Sequence, residues 1–293
     1  TERKDDLAAA MSMSMGCPVE MAMELQTTGP IYGMSTFAEK AFQMEAEKEV
    51  KNSLVIKEPV GVCAFINPWN YPLNQFVGKV APALAAGCTI IAKPAEQTPL
   101  QDLIMAEIFD EVGLPAGVFN LIIGSGPVVG AAMSCHPDVD MVSFTGSTRA
   151  GVMIAEAAAP SVKRVTQELG GKSPFIITES ADLEAAVNYG VEDVMINTGQ
   201  TCTALTRMLV PESRYEEAIE IAKKTAEAYS IGTGDTFMGP MVTELQKSRV
   251  ISYIDKGIEE GATLVTGGTD MPEGHDKGWY VKPTIFAHAN NDM

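Results

Sequence analysis

From Val60 onward the chain alternates short β-type runs with amphipathic helical stretches, and this rhythm restricts the fold more than any other feature. The strand candidates are Val62–Ile66, Thr89–Ala92, Phe119–Ile123, Met141–Phe144, Arg164–Thr166 and Pro174–Ile177. Helical patterns such as Leu100–Val112 and Gly151–Ala159 lie between them. Strands separated by helices of this length build βαβ units, with a parallel sheet covered on both faces. A similar texture resumes after Gly170-Gly171. There Ala181–Asn197, Tyr215–Tyr229 and Gln246–Glu260 read as helices, and Met208–Val210, Thr263–Val265 and Val281–Phe286 as strands. Before Val60 the chain reads as helix up to about Glu49, including Val19–Leu25 and Thr36–Met44, followed by a strand at Leu54–Ile56. The expected fold is therefore α/β, with two βαβ-type domains containing parallel sheets. The first would span residues 1–170, with a possible bridging strand near 53–58, and the second residues 171–293.

Composition removes several classes of function. A net charge of −17 disfavours a nucleic-acid partner, because phosphate backbones are bound through clustered Lys and Arg. No run approaches the roughly 18 apolar residues of a membrane-spanning helix. The five cysteines include no CxxC pair, which argues against a disulfide framework and for a reducing, cytoplasmic setting. His136 follows Cys135, but no second ligand lies at metal spacing, so no metal site is expected. The chain starts at Thr1 without an initiator Met or signal peptide, and is expected to be an excerpt of a longer one.

Two glycine runs follow strands. Gly124-Ser125-Gly126-Pro127-Val128-Val129-Gly130 has GxGxxxG spacing, one residue away from the dinucleotide fingerprint. A strand-to-helix turn with Pro near the helix start explains it equally well. Phe144-Thr145-Gly146-Ser147-Thr148 opens a helix whose N–H groups could meet a pyrophosphate, although Ser147 could also be an ordinary N-cap. After the strand Thr89–Ala92 comes Lys93-Pro94-Ala95-Glu96. An acidic residue at a strand's C-terminal end suits ribose hydroxyls, although a solvated loop is the plainer reading.

Three residues carry reactive chemistry. Cys202, in Gly199-Gln200-Thr201-Cys202, has polar neighbours in an exposed loop or the start of a short helix, unlike Cys63 and Cys88, which sit in apolar surroundings. Glu168 ends a strand just before paired glycines, placed to overhang a cleft as a general base or to lie in a surface turn. Asn70, in Pro68-Trp69-Asn70-Tyr71-Pro72, offers an amide donor to an oxyanion or an N-cap to the following helix.

Together, the runs Pro68–Pro72, Lys93–Glu96, Phe144–Thr148, Glu168–Pro174 and Gly199–Cys202 resemble, in this order and spacing, the NAD-dependent, non-acylating aldehyde dehydrogenase superfamily. Met238-Gly239-Pro240 and Lys282–Phe286 extend the resemblance to essentially the whole chain. Family chains usually run further at both ends, so the resemblance implies truncation at both ends and an incomplete catalytic domain. It also implies roles for individual residues. Cys202 would attack the aldehyde, Asn70 would hold the oxyanion, and Glu168 would activate the water that hydrolyses a thioester. Lys93 and Glu96 would bind the adenosine ribose of NAD, with Glu96 disfavouring NADP. Gly126, Gly130, Gly146 and Ser147 would line the pyrophosphate end, and Pro68, Trp69 and Leu169 would sit along the cofactor. The partners implied are a small-molecule aldehyde and, for the parent enzyme, further copies in a homodimer or homotetramer, with neither nucleic acid nor membrane. A CoA-acylating semialdehyde dehydrogenase is countered by Glu168. A thiol esterase or acyltransferase lacks a clear His partner for the cysteine. A non-catalytic NAD-binding fragment is the third alternative.

Overall fold

The computed structural model describes residues 2–293. The chain divides into two units, Thr1–Ser14 with Ala22–Gly170, and Met15–Met21 with Gly171–Met293. Helices α1 (Lys4–Met15), α2 (Val19–Met23) and α3 (Gly29–Ala41) come first, with one π-helical turn between α2 and α3. The third helix begins seven residues ahead of Thr36, and Pro30 sits in its first turn, where the missing N–H costs nothing. Strands β1 (Glu47–Val50) and β2 (Ser53–Ile56) then pair as an antiparallel hairpin through a two-residue turn at Lys51 and Asn52. The expected helical region reached about Glu49, whereas residues 47–50 form a strand. Both strands are exposed throughout, so backbone pairing forms them without an apolar period to announce it.

A five-stranded, all-parallel sheet forms the centre of the first unit. It is built from β3 (Val62–Ile66), β4 (Thr89–Lys93), β5 (Phe119–Leu121), β6 (Met141–Gly146) and β7 (Arg164–Leu169), with α4 (Pro72–Ala85), α5 (Leu100–Glu111), α6 (Ala131–Cys135) and α7 (Thr148–Ala158) as its helices. The strand order is β5-β4-β3-β6-β7. The continuous apolar run of β3 takes the centre and is buried from Cys63 to Ile66, whereas edge strand β7 alternates exposed and half-buried residues. Phe76 of α4, Phe109 of α5 and Phe119 of β5 form a mutually packed trio, with the last two rings edge-on at 4.9 Å. A second cluster combines Ala64, Ile66, Val142 and Phe144 with Met133 and Ile154 from α6 and α7. The chain runs outward from β3 through β4 to β5, then crosses to the opposite side for β6 and β7. The C-terminal ends of β3 and β6 therefore flank a topological switch point, the usual place for a ligand crevice in such sheets.

The second unit contains β8 (Pro174–Ile176), α8 (Leu183–Met195), β9 (Arg207–Leu209), α9 (Tyr215–Glu227), α10 (Glu244–Glu259), β10 (Thr263–Thr266) and β11 (Ile285–Ala287). β8 and β9 pair in parallel, while β10 and β11 pair antiparallel across a bulge. The small residues Ala218, Ala222 and Ala226 of α9 recur every fourth position and pack with Leu183, Val187 and Val191 of α8. Gly190 allows α8 to approach the strands, because a Cβ there would lie 2.7–2.8 Å from Met208 and Phe175 side-chain atoms. β11 begins at Ile285 rather than Val281. Pro283 has no N–H to donate to a ladder, which fits the later start.

Candidate active site

In the first unit, the segment after β3 is held by its backbone. Asn67 N–H donates to the Lys93 carbonyl (3.0 Å), Thr98 Oγ1 to the Trp69 carbonyl (3.4 Å), and Gln26 Nε2 to the Asn70 carbonyl (2.9 Å). α4 starts at Pro72 with Tyr71 at the cap position, so Asn70 is not the N-cap. Pro68, Trp69 and Asn70 are all half-buried.

At the end of β4, Lys93 is almost fully buried. Its ammonium donates to the carbonyls of Pro94 (2.7 Å) and Gly124 (3.0 Å) and lies 3.7 Å from Glu96 Oε2. Burial pushes its pKa down, against the opposing pull of Glu96 and Asp102. The other Glu96 oxygen accepts from Gly126 N–H at 2.6 Å, which fixes the loop after β5. That loop makes one π-helical turn, Gly126–Gly130, with Pro127 in its first positions, and continues into α6. Gly130 is buried, and a Cβ there would lie 3.6 Å from Ile66 and 4.0 Å from Lys93. After β6, a Cβ at Gly146 would lie 2.5 Å from the Phe144 ring. Ser147 caps α7, its hydroxyl accepting from Ala150 N–H at 3.3 Å. Glu168 stands exposed near the end of β7 and pairs in register with Thr145, while Leu169 packs into the adjoining core. The strand ends therefore present an ammonium, a carboxylate, close-packed glycines and a capped helix N-terminus on one unit. This set fits a dinucleotide.

The same unit holds buried polar groups that the sequence did not reveal. Lys79 of α4 donates to Thr145 Oγ1 (2.8 Å) and Gln75 Oε1 (3.1 Å). Burial lowers its pKa to about 8, opposed by the carboxylates of Glu168 and Asp102. Asp102 of α5 is 1% exposed, and burial pushes its carboxyl up to about 8 against a hydrogen bond from Gln101 and the charges of Lys79 and Lys93. One Asp102 oxygen, one oxygen each of Gln26 and Gln101, and both amide atoms of Asn67 are buried without a hydrogen-bond partner. Such atoms typically cost about 1–3 kcal/mol each. One signal was available: Lys79 follows Phe76 by three positions, which puts a charge on the apolar face of its helix.

In the second unit, Cys202 is half-buried in a turn, and no helix starts there. The three residues Asn197, Thr198 and Gly199 have φ values of 52°, 58° and 74°. Consecutive left-handed residues cost roughly 1–2 kcal/mol each outside glycine, and Thr198 is β-branched. Asn197, Thr198 and Gln200 are buried, and Asp193 accepts from Leu205 N–H at 2.9 Å, three residues after Cys202. Among the described residues, no group of three or more His, Cys, Asp or Glu is placed to hold a metal ion, and no helix is long and apolar enough to cross a membrane.

Comparison with known proteins agrees with this architecture. The aldehyde dehydrogenase family matches residues 1–293. A 3-succinoylsemialdehyde-pyridine dehydrogenase from a Pseudomonas species is 47% identical over 293 residues, covering 99% of this chain and 61% of that protein. Aldehyde dehydrogenase C from Pseudomonas syringae was solved as a cysteine-to-alanine mutant with NAD+ and octanal. It is 46% identical with a TM-score of 0.96, and the match covers 100% of this chain and 61% of that one. A Mycobacterium tuberculosis aldehyde dehydrogenase complexed with NAD+ is 41% identical with a TM-score of 0.96, covering 100% of this chain and 62% of that one. The chain belongs to the aldehyde dehydrogenase family, and spans about three-fifths of the length of these relatives.

Proposed function

We propose that the enzyme containing this chain oxidises an aldehyde to a carboxylic acid with NAD as cofactor. The observation that carries this reading is the 46% identity to a dehydrogenase solved with NAD+ and an aldehyde, in a chain that also has Cys202, Glu168 and Asn70 in loops and at strand ends. In this reading, the Cys202 sulfur adds to the aldehyde carbon. The Asn70 amide and the Cys202 backbone N–H donate to the oxyanion that forms. NAD, when bound, is the two-electron acceptor whose reduction converts that adduct to a thioester. Glu168 takes a proton from the water that cleaves the thioester, returning the thiol. Lys93 and Glu96 hold the adenosine ribose, Gly126, Gly130, Gly146 and Ser147 the pyrophosphate, and Pro68, Trp69 and Leu169 the rest of the cofactor. The carboxylate of Glu96 repels a 2′-phosphate, which favours NAD over NADP. Assembly into a homodimer or homotetramer and a cytoplasmic location belong to the same reading.

The test is NADH formation by the full-length protein across a panel of aldehydes, read by absorbance, for the parent and Cys202→Ala. The variant is expected to lose roughly a thousandfold or more of the rate while still binding NAD. Turnover near the parent rate would remove Cys202 as the nucleophile.

A further inference from the structure

The nucleophile loop of the second unit runs through three left-handed residues in succession, a conformation that persists only where the surroundings dictate it. Gln200 supplies much of that constraint. Its Nε2 donates to the Asn197 carbonyl at 3.0 Å, and its own backbone N–H donates to the same oxygen at 3.1 Å. In return, Asn197 Nδ2 donates to the Gln200 carbonyl at 3.3 Å. The remaining end of the Gln200 carboxamide, Oε1, accepts from Val242 N–H at 3.0 Å. Two residues before Gln200, Thr198 Oγ1 donates to the Gly239 carbonyl, also at 3.0 Å. The turn is thus closed on itself and tied to the segment Gly239–Val242, about forty residues further along, which leads into α10 through the Thr243 cap. Asn197 and Gln200 are 2% and 7% exposed, so water competes little for these bonds.

We propose that Gln200 is a positioning residue. Its carboxamide spans Asn197 and Val242, and so locks the left-handed turn that holds Cys202, two residues away, in its reactive place. The consequence for catalysis rests on the function proposed above, whereas the hold on the loop does not. Both ends of the carboxamide are used with opposite polarity, a donor toward Asn197 and an acceptor toward Val242. A neutral carboxyl of the same shape can supply both, but a carboxylate cannot donate to the Asn197 carbonyl.

The experiment uses the full-length protein and compares the parent with Gln200→Ala and Gln200→Glu. Iodoacetamide labelling, followed peptide by peptide, reads the exposure of Cys202 without aldehyde or NAD. Exposed Cys135 serves as the accessible reference, buried Cys17 reports unfolding of the second unit, and buried Cys63 and Cys88 report unfolding of the first. The Ala variant is expected to label Cys202 several-fold faster than the parent, with Cys17, Cys63 and Cys88 still protected. Its kcat for aldehyde oxidation should fall between about tenfold and a hundredfold at unchanged NAD affinity. In the Glu variant, labelling and kcat should match the parent at low pH and diverge as the pH rises and the carboxyl ionises. Labelling and kcat within about twofold of the parent in both variants at every pH would overturn the proposal. Opening of Cys17 together with Cys202 in both variants would overturn it too. If the parent makes no NADH from any aldehyde while the labelling pattern appears as described, the dehydrogenase reading fails and the role of Gln200 in the loop stands.

Discussion

In the first unit three charged side chains, Lys79, Lys93 and Asp102, are buried; in the second, the buried polar side chains among the described residues are the neutral Asn197, Thr198 and Gln200. The first unit therefore works with electrostatics. A desolvated lysine whose pKa has fallen to about 8 feels Glu168, and a second lysine is balanced between Glu96 and two backbone carbonyls. The second unit works with conformation, holding one thiol on a strained turn by amide hydrogen bonds that do not titrate. The two regions should therefore respond to different perturbations. Charge substitutions and pH should act through the first unit, and carboxamide substitutions through the second.

The largest effect that separates them is expected from Glu168→Gln. In the proposed mechanism the variant loses the base but keeps the Cys202 loop, so it should give a burst of about one NADH per site. Slow turnover should follow, lower by roughly 10²–10⁴-fold and measurable by stopped-flow absorbance. A normal steady state would remove Glu168 from the mechanism and leave the first unit its cofactor and oxyanion roles.

A smaller shift is expected from Glu96→Ser, read as the ratio of kcat/KM with NADP to that with NAD. Removing the carboxylate ends its repulsion of a 2′-phosphate, so the ratio should rise by about tenfold. NAD affinity should also weaken, because Glu96 fixes Gly126 N–H. An unchanged ratio would separate Glu96 from the ribose.

The smallest effect concerns stability. The Asp102 carboxyl has its folded pKa raised from 3.8 to about 8, so between those values the folded state holds more protons than the unfolded one. The stability this confers is present below 3.8 and is lost as pH rises through about 8. Asp102→Asn removes that dependence and should be the more stable form at pH 8, by on the order of 1–3 kcal/mol, with a smaller margin at pH 5. Apparent Tm at the two pH values checks it, and an equal margin at both would mean the buried carboxyl does not govern the first unit's pH response.

Much of this was legible along the chain, for identifiable reasons. Val62–Ile66 and Thr89–Ala92 read as strands because a buried parallel strand is apolar on both faces, a purely local signal. Cys202 stood out because Gln200, Thr201 and Thr203 are poor neighbours for a core cysteine. Ser147 was ambiguous between cap and anion site, and the two uses are compatible, since the hydroxyl caps α7 at the helix end whose N–H groups face a phosphate in the proposed reading. Glu47–Val50 was missed because an exposed hairpin strand needs no apolar period.

By itself, the sequence determined the order of most strands and helices, the family, and which thiol is chemically distinctive. The order follows from periodicity among near neighbours, the family from its motif runs in sequence, and the thiol from its polar neighbours. Only the tertiary structure decided that Lys79 feels the charges of Glu168 and Asp102, that β3 takes the centre of the sheet, and that Gln200 reaches Val242. Each depends on which faces of distant segments meet, and a hydrogen bond spanning forty residues leaves no trace in the spacing of either end.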